Sequence, residues 1–384
     1  MTVRNAAAAL PRLEVTALSK TYGSGASAKC VIEDLTFTVN TGEVVCIVGP
    51  SGVGKTTLLK CLAGLQPLTS GAAAIDGRKI DGPPAEMALV FQDYSRSLMP
   101  WLTVRKNIRL PLRHLRLPAA ELNQRIDTAL EAVGLTHAAN QYPWQLSGGM
   151  QQRVGLARGL ATDPEILLMD EPFGALDPLI RRDVQDELLR LQKKLRKTII
   201  FITHDLNEAL LLGDRIAIMK DGAIVQIGTA QEIVDTPADD YVRAFVADID
   251  RGRVFTAESV SSADPVVLQL GTDTSETAMQ SMEDANCNAL YVLDGEEIAG
   301  VVTYQDAMAA SRDDDATLAD AIQSDFPTAD RGSALHELYG AASSGLPIAV
   351  TDDNNRLVGV VEPEALLAQL SGDTSADPAP AAKP

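Results

Sequence analysis

GPSGVGKTT, residues 49–57, follows the continuous apolar run VVCIV (44–48) and precedes a helical pattern that begins near Lys55. A buried strand, a glycine-rich loop and a helix form the context in which the pattern G-x-x-x-x-G-K-[ST] binds a nucleotide. The glycines let backbone N–H groups curl around phosphate oxygens, and the helix N-terminus adds positive potential. Lys55 can then reach the β- and γ-phosphates, and the Thr56 hydroxyl suits a Mg²⁺ ligand. An ordinary glycine-rich turn would not explain the lysine and threonine after the last glycine. The predicted nucleotide-binding residues are Gly49, Pro50, Ser51, Gly52, Val53, Gly54, Lys55, Thr56 and Thr57.

Two carboxylates, Asp170 and Glu171, directly follow a second apolar run, ILLM (166–169). A carboxylate at the end of a buried strand can hold the Mg²⁺ shell of a bound nucleotide. The carboxylate after it then lies where an attacking water would be oriented or deprotonated. Two acidic residues at a strand end are common in isolation, but their spacing from the phosphate loop favours hydrolysis.

The order of predicted strands and helices indicates an α/β fold. Short strands are predicted at 13–18, 31–39 and 44–48, and further buried strands at 166–169 and 198–203. Helical patterns cover 119–134, 149–161 and 179–195. Strands that alternate with helices predict a parallel sheet covered on both faces.

The segment LSGGMQQR (146–153), between the phosphate loop and the two carboxylates, makes the pattern specific. With it, residues 13–249 resemble the ATP-binding subunit of an ATP-binding-cassette (ABC) transporter. The resemblance implies a P-loop cassette with a parallel-sheet core, an antiparallel N-terminal sheet and a helical subdomain at about 93–160. It also implies an ATPase that works as a homodimer, in which each ATP lies between one phosphate loop and the partner's LSGGMQQR helix.

The resemblance assigns roles to further residues, each of which also has a plainer interpretation. Tyr22 would stack on adenine, or be a half-buried surface tyrosine. Gln92 would link Mg²⁺ and water to the transporter interface, or be a surface-loop glutamine. His204 would contact the γ-phosphate as a switch residue, or be structural. Asp177 in ALDP would act across the dimer. Contacts with the partner's ATP are assigned to Ser147, Gly148, Gly149 and Gln151.

Membrane association is expected through partners and not through this chain. No stretch approaches the roughly 18 to 20 apolar residues that cross a bilayer. We therefore expect a cytoplasmic, soluble chain, peripheral on the inner membrane, with integral-membrane permease subunits and an extracytoplasmic substrate-binding protein. The segment SLMPWLTV (97–104) is predicted to line the groove for the permease, although its Trp101 is equally compatible with ordinary core.

Charge and cysteine usage divide the chain and limit its partners. Residues 258–384 contain 23 acidic and 4 basic residues, whereas the remainder has 29 of each. This asymmetry predicts a domain boundary near residue 258 and argues against binding of nucleic acid there. We expect a cassette at 12–250, a second domain at 258–370 and a disordered tail at 371–384.

The spacing of the cysteines argues against metal ligands or disulfides and favours buried or inert thiols at Cys30, Cys46, Cys61 and Cys287.

The acidic part contains an imperfect repeat, ALYVLDGEEIAGVVTYQDA (289–307) and LPIAVTDDNNRLVGVVEPEA (346–365). It is similar to an α+β tandem of cystathionine-β-synthase-like (CBS) modules. In such modules a G-h-h-T-x-x-D string often contacts the ribose of an adenosine ligand. The first copy keeps Gly300, Thr303 and Asp306, whereas the second has Gly359, Glu362 and Ala365. We expect weak or absent nucleotide binding there, with a role in dimer contacts or ionic sensing.

Two substrate classes remain open at this point. Residues 177–229 and 241–257, together with the CBS pair, look like glycine betaine/proline importers, which favours quaternary-amine import and osmoregulation. Residues 91–108 and 142–153 look more like taurine, sulfonate and nitrate importers. An ABC ATPase without a membrane partner is a remote third class, since such chains usually carry two cassettes or a coiled-coil insertion.

Overall fold

The computed structural model describes residues 11–91, 97–174, 176–262, 264–313 and 316–371. The chain forms two compact units, Met1–Ala247 and Asp248–Pro384. Each unit is described separately below.

The strands of the first unit form two sheets. The strands are β1 (Leu13–Tyr22), β2 (Lys29–Val39), β3 (Val44–Val48), β4 (Ser70–Ile75), β5 (Arg78–Lys79), β6 (Met87–Val90), β7 (Ile166–Asp170), β8 (Thr198–Thr203), β9 (Arg215–Lys220) and β10 (Ala223–Gly228). One sheet has the order β2-β1-β4-β5 and is antiparallel. The other has the order β10-β9-β3-β8-β7-β6 and is parallel from β9 to β6. The predicted parallel core and antiparallel N-terminal sheet are both present.

The first strand is longer than the sequence pattern predicts. The expected strand ends at residue 18, whereas β1 runs to Tyr22. Its pairing with β2 shifts register several times after Val15, and Ala17 has a φ of 49°. These bulges break the strict alternation of buried and exposed residues, so the pattern becomes unreadable before the strand ends.

Helices fill the connections between the strands. In the first unit they are α1 (Lys55–Leu62), α2 (Val104–Arg109), α3 (Ala119–Ala132), α4 (Gly148–Leu160), α5 (Pro178–Leu195), α6 (Leu206–Leu212), α7 (Ala230–Asp235) and α8 (Asp240–Val246). Short 3₁₀ turns lie at Gly25–Ser27, Leu110–Leu115, Thr136–Ala138 and Pro143–Gln145. The helices α2, α3 and α4 lie between β6 and β7 in the chain and form the predicted helical subdomain.

A continuous core joins the two sheets through α1. Leu13 of β1, Val45 of β3, Leu58 of α1 and Ile200 of β8 belong to one cluster of buried side chains. Each such side chain contributes roughly 1.5–3 kcal/mol when it is fully buried. The helix that follows the phosphate loop is therefore fixed by packing on both sheets.

The second unit contains two sheets of matching topology. Its strands are β11 (Val267–Gln269), β12 (Ala289–Asp294), β13 (Glu297–Thr303), β14 (Thr328–Asp330), β15 (Ile348–Thr351) and β16 (Leu357–Val361). Its helices are α9 (Arg251–Val254), α10 (Ala257–Val260), α11 (Ser275–Ala285), α12 (Tyr304–Ala310), α13 (Tyr339–Ala342) and α14 (Pro363–Ser371), with 3₁₀ turns at Leu318–Ala321 and Leu335–Leu338. In each sheet the first strand is parallel to the second, and the second is antiparallel to the third.

The two sheets match in register as well as in strand order. Gly300 pairs with Val292 in the first, and Gly359 pairs with Val350 in the second. The repeat seen in the sequence is thus a repeat of strand pairing. Helix α14 includes Ser371, where the predicted disordered tail begins, and residues 372–384 of that tail lie outside the described residues.

Candidate nucleotide site

Three neighbouring parallel strands of the cassette end together. In the register of the sheet, Val48 of β3 is opposite Thr203 of β8, and Asp170 of β7 is opposite Ile202 of β8. The segments that follow these strands therefore emerge at one edge. Open α/β sheets bind ligands at this carboxyl edge. The edge brings together the phosphate loop, the Asp170–Glu171 pair and His204.

The phosphate loop is shaped by close backbone contacts that only glycine allows. Gly54 has a φ of 111°, and a Cβ built there would lie 2.6 Å from the carbonyl oxygen of Val31. A Cβ on Gly49 would lie 2.5 Å from the carbonyl oxygen of Met219. Gly54 is also the residue that precedes the first turn of α1. The loop therefore turns sharply into a helix N-terminus, where free N–H groups can meet phosphate oxygens.

Lys55 is a buried cation that faces its own loop. Its side chain is 5% exposed, and Nζ donates to the carbonyl oxygens of Gly49 at 2.7 Å and Pro50 at 3.1 Å. Nζ also lies 3.5 Å from Oε1 of Glu171. An ammonium group held by carbonyls and one carboxylate is positioned to meet an anion at the mouth of the loop.

Thr56 and Asp170 provide two oxygen donors side by side. The Thr56 hydroxyl donates to Oδ1 of Asp170 at 3.0 Å. Burial raises the pKa of the Asp170 carboxyl above its ordinary value, and the hydrogen bond from Thr56 opposes that effect. A hydroxyl and a carboxylate are the hard oxygen ligands that Mg²⁺ takes together with substrate phosphates. These two residues fit the predicted magnesium site.

Glu171 links the lysine to the histidine. Its backbone is in the left-handed region, at a φ of 42°, and its N–H donates to the carbonyl oxygen of Ile202 at 2.9 Å. Oε2 lies 3.1 Å from Nδ1 of His204, while Oε1 faces Lys55. Strained backbone of this kind persists only where the surroundings fix it, and it is common in active sites. The carboxylate is thus held with one oxygen toward each partner.

The LSGGMQQR segment begins helix α4 as predicted. The Ser147 hydroxyl caps the helix and accepts from the N–H of Met150 at 3.4 Å. The amide of Gln151 donates instead to the carbonyl oxygen of Pro143 at 3.0 Å, so its side chain braces the preceding 3₁₀ turn. Sequence analysis did not single out Gln152, which is buried and donates to the carbonyl oxygen of Pro172 beside Glu171. That contact ties α4 to the loop that contains Glu171.

Other predicted site residues lie outside this cluster or outside the described chain. The Tyr22 hydroxyl donates to Oε1 of Gln66 at 2.6 Å, and its ring lies 5.1 Å below Nζ of Lys20. The carbonyl oxygen of Asp177 accepts from the N–H of Arg181 at 2.9 Å, at the start of α5. The remaining residue, Gln92, lies outside the described residues.

The segment predicted to line the permease groove, residues 97–104, contains one exposed aromatic ring. Trp101 is 71% exposed, so the alternative that it belongs to the core is wrong. In the same helical subdomain Trp144 is also exposed and stacks on Tyr142, with ring centroids 5.8 Å apart. Large exposed aromatics on one subdomain are typical of a surface that contacts another protein.

The G-h-h-T-x-x-D string of the second unit is internally hydrogen-bonded. The Thr303 hydroxyl caps helix α12 by accepting from the N–H of Asp306 at 3.2 Å, and it donates to Oδ2 of Asp306 at 2.6 Å. The Gln323 amide donates to the same Oδ2 at 2.7 Å. A Cβ on Gly300 would lie 2.4 Å from the carbonyl oxygen of Gln323. Thr303 and Asp306 thus form a helix cap, and Gly300 lies where β13 closely approaches the backbone of Gln323.

The cysteines differ in exposure. Cys46 and Cys61 are buried, and burial raises the pKa of both thiols, so they stay protonated near neutral pH. Cys287 is half-buried. Cys30 is exposed, since it lies at the outward-facing start of β2, so of the expected buried or inert thiols it is not a buried one.

Across the described ranges of the chain, no helix is both long enough and apolar enough to span a bilayer. In the same ranges, no three His, Cys, Asp or Glu side chains cluster as metal ligands would.

Comparison with known proteins assigns both units to families. The ABC transporter family matches residues 32–174, and the CBS domain family matches residues 257–313. The predicted fold, an ABC cassette followed by CBS-type α+β structure, is confirmed. A solved dimeric ATP-binding cassette in a post-hydrolysis state with ADP and Pi is 33% identical, with a TM-score of 0.50 over 56% of this chain and 98% of that chain.

Full-length relatives extend over both units. The glycine betaine/carnitine transport ATP-binding protein GbuA of Listeria monocytogenes is 40% identical over 353 residues, 89% of this chain and 88% of the relative. The glycine betaine transport ATP-binding protein OpuAA of Bacillus subtilis is 42% identical over 349 residues, 88% and 82% of the two chains. With this similarity and the sheet-edge site described above, the chain belongs to the ABC transporter family, as an ATP-hydrolysing subunit with a C-terminal CBS domain.

Proposed function

We propose that this chain powers the uptake of glycine betaine or a closely related quaternary amine. The observation that carries the proposal is the length of the similarity: relatives named for glycine betaine and carnitine transport match the cassette and the CBS unit together. A chain similar only in the cassette would favour no substrate class, since cassettes of many transporters share that unit. The same relatives favour quaternary amines over the sulfonate and nitrate alternative.

We assign residues 12–250 to the ATP-hydrolysing cassette. The loop of Gly49 to Thr57 would hold the phosphates of ATP, with Lys55 as the cation that meets the terminal phosphates. The hydroxyl of Thr56 and the carboxylate of Asp170 would hold Mg²⁺, which supplies charge neutralisation to the phosphoryl group when bound. Because Lys55 is already held by two carbonyl oxygens, little side-chain freedom is lost when it meets the anion.

Glu171 is assigned the role of orienting the attacking water and accepting its proton. Its two oxygens are held by Lys55 and His204, which fixes the carboxylate plane. Proton transfer by a positioned carboxylate contributes roughly 10²- to 10⁴-fold to rate. His204, 55% exposed at the end of β8, is assigned to the side of the terminal phosphate.

A second copy would complete the site. The N-terminus of α4, capped by Ser147, is assigned to the ATP held by the partner cassette, with Gly148 and Gly149 at its first turn. Gln151 keeps the same assignment, and in the single chain its amide donates to the turn before α4. Asp177 and Tyr22 keep the assignments of dimer contact and adenine stacking.

Permease subunits and a substrate-binding protein are the further partners we propose, with the chain on the cytoplasmic face of the membrane. The exposed Trp101 and the Tyr142–Trp144 stack support a permease contact on the helical subdomain. Residues 258–370 are proposed to regulate transport through dimer contacts or ionic conditions. The mutual hydrogen bonds of Thr303, Asp306 and Gln323 support weak or absent nucleotide binding there.

Uptake of labelled solutes in the source cells tests the proposal. Cells with the native chain are compared with cells carrying Glu171→Gln, at low and high osmolarity, with labelled glycine betaine and labelled taurine. We expect the variant to lose betaine uptake and keep taurine uptake. Loss of taurine uptake alone would overturn the proposal and favour the sulfonate class.

A further inference from the structure

A buried carboxylate lies behind the His204 turn. Glu208, on α6, is 6% exposed, and its two oxygens accept from the Thr203 hydroxyl at 2.6 Å and from the Gln185 amide at 3.1 Å. Buried carboxylates are rare and costly unless they are hydrogen-bonded or paired.

The Thr203 hydroxyl connects this carboxylate to the turn. It accepts from the N–H of Asp205 at 3.0 Å, and because an N–H can only donate, its own hydrogen is directed to Glu208. Thr203 and Asp205 are the two chain neighbours of His204. The residues on both sides of His204, Thr203 and Asp205, are therefore both linked through the Thr203 hydroxyl to the buried carboxylate of Glu208.

The position of the His204 ring depends on this backbone, because more than half of the side chain is exposed to solvent. Its side chain is 55% exposed, and its Nδ1 lies 3.1 Å from Oε2 of Glu171. An exposed ring keeps such a contact only if its Cα is held in place. A misplacement of about 1 Å near a reacting group costs on the order of 10²-fold in rate.

Arg181 extends the same network to α5. Its Nε lies 3.9 Å from Oε1 of Glu208, its Nη1 lies 3.9 Å from Oδ2 of Asp205, and its Nη2 donates to the carbonyl oxygen of Leu176 at 3.3 Å. The guanidinium thus offsets the charge of Glu208 and reaches the residue before Asp177. Burial raises the pKa of Glu208, and the hydrogen bond from Thr203 opposes that rise.

We propose that Thr203 and Glu208 are positioning residues that hold His204 against Glu171 for ATP hydrolysis. The inference rests on the proposed function, in which Glu171 and His204 act on the attacking water and the terminal phosphate. It assigns a role to two residues outside the phosphate loop, the carboxylate pair and the LSGGMQQR segment.

A matched pair of substitutions at Thr203 tests the hydroxyl. Thr203→Val keeps the shape and removes the hydrogen bonds, whereas Thr203→Ser keeps the hydroxyl and removes a methyl group. In the full-length chain we expect Val to lower kcat for ATP by roughly tenfold or more with KM within about twofold, and Ser to stay within about threefold of the native kcat. Equal losses in Val and Ser would overturn the proposal, because a purely steric role would not distinguish them in this way.

A double-mutant cycle with His204→Ala tests whether the hydroxyl acts through the histidine. We expect Thr203→Val to cost little in the His204→Ala background, since residues that act as a unit are non-additive. Additive losses would overturn the inference. If Glu171→Gln and His204→Ala both leave hydrolysis unchanged, the proposed site itself is wrong, which is a distinct outcome. Should Thr203→Val not fold, Glu208→Gln is taken through the same cycle with the same deciding outcomes.

Discussion

The carboxyl edge of the cassette sheet and the Thr303–Asp306 string of the second unit differ in how their polar side chains are brought together. At the edge, Lys55, Glu171 and His204 come from three separate segments and meet through the polar ends of their side chains. In the string, Thr303 and Asp306 are three residues apart and hydrogen-bond to each other. The first arrangement brings together side chains from segments distant in the chain, whereas the second is a hydrogen-bonded pair within one helix cap.

The contrast teaches how to separate a functional motif from a structural one. Threonine and aspartate at this spacing are also what a capped helix needs. A glutamate with a strained backbone, whose carboxylate lies between a lysine and a histidine, is not needed by any local element. Convergence of distant groups, more than residue identity, marks the site that performs chemistry.

The largest effect is expected from removing the proposed general base, Glu171, at the edge. Glu171→Gln keeps the side-chain shape but cannot accept a proton, so we expect ATP hydrolysis to fall by roughly 10²-fold or more. ATP affinity should change by no more than a few-fold, because Lys55 and the loop are intact. Single-turnover hydrolysis and equilibrium ATP binding measure the two quantities. The control is Glu131→Gln, an exposed residue of α3, and an equal fall in both variants would contradict the assignment.

A moderate effect, on stability alone, is expected from a substitution in the Thr303–Asp306 string. Thr303→Ala removes the cap of α12 and should destabilise that helix by about 1 kcal/mol. Thr303→Ser retains the hydroxyl and should be close to native. Hydrogen exchange of the α12 amides measures the change in the full-length chain. A matching change in ATP affinity would show that the string contacts nucleotide after all.

The smallest effect is expected from pH, through Glu208. Because burial raises the pKa of this carboxyl, the folded chain keeps its proton at pH values where the unfolded chain has lost it. The free energy of unfolding therefore falls as pH rises from the ordinary glutamate range through the raised pKa. Glu208→Gln should flatten this dependence, as read from hydrogen exchange of the β8 amides corrected for intrinsic rates. The same slope in the variant and the native chain would contradict it, and Glu131→Gln serves as the control.

Sequence analysis identified the residues that a local motif carries. The phosphate loop, Asp170 and Glu171 were predicted because each lies at or just after the end of an apolar run that indicates a buried strand. His204, directly after β8, was predicted from the family resemblance. The parallel register then brings them together without further information, since the carboxyl ends of neighbouring parallel strands share an edge.

The hydrogen-bonded and charged residues that surround Thr203 could not be predicted in this way. Glu208, Gln185 and Arg181 lie on two different helices, and only tertiary packing brings them to Thr203. The orientation of Gln151 was equally hidden, because its alternative partner is a carbonyl oxygen of a neighbouring turn. The exposure of Trp101 was undecided from the sequence, because a single tryptophan between Pro100 and Leu102 shows no hydrophobic periodicity.

One binding measurement tests most directly the claim that distant convergence, and not motif identity, marks the nucleotide site. Equilibrium dialysis with labelled ATP and Mg²⁺ would count nucleotides per full-length chain in the native protein, in Lys55→Ala and in Asp306→Ala. We predict one ATP per chain, lost or weakened by at least about tenfold in Lys55→Ala and unchanged in Asp306→Ala. Two ATP molecules per chain, or one that disappears with Asp306→Ala, would contradict the account.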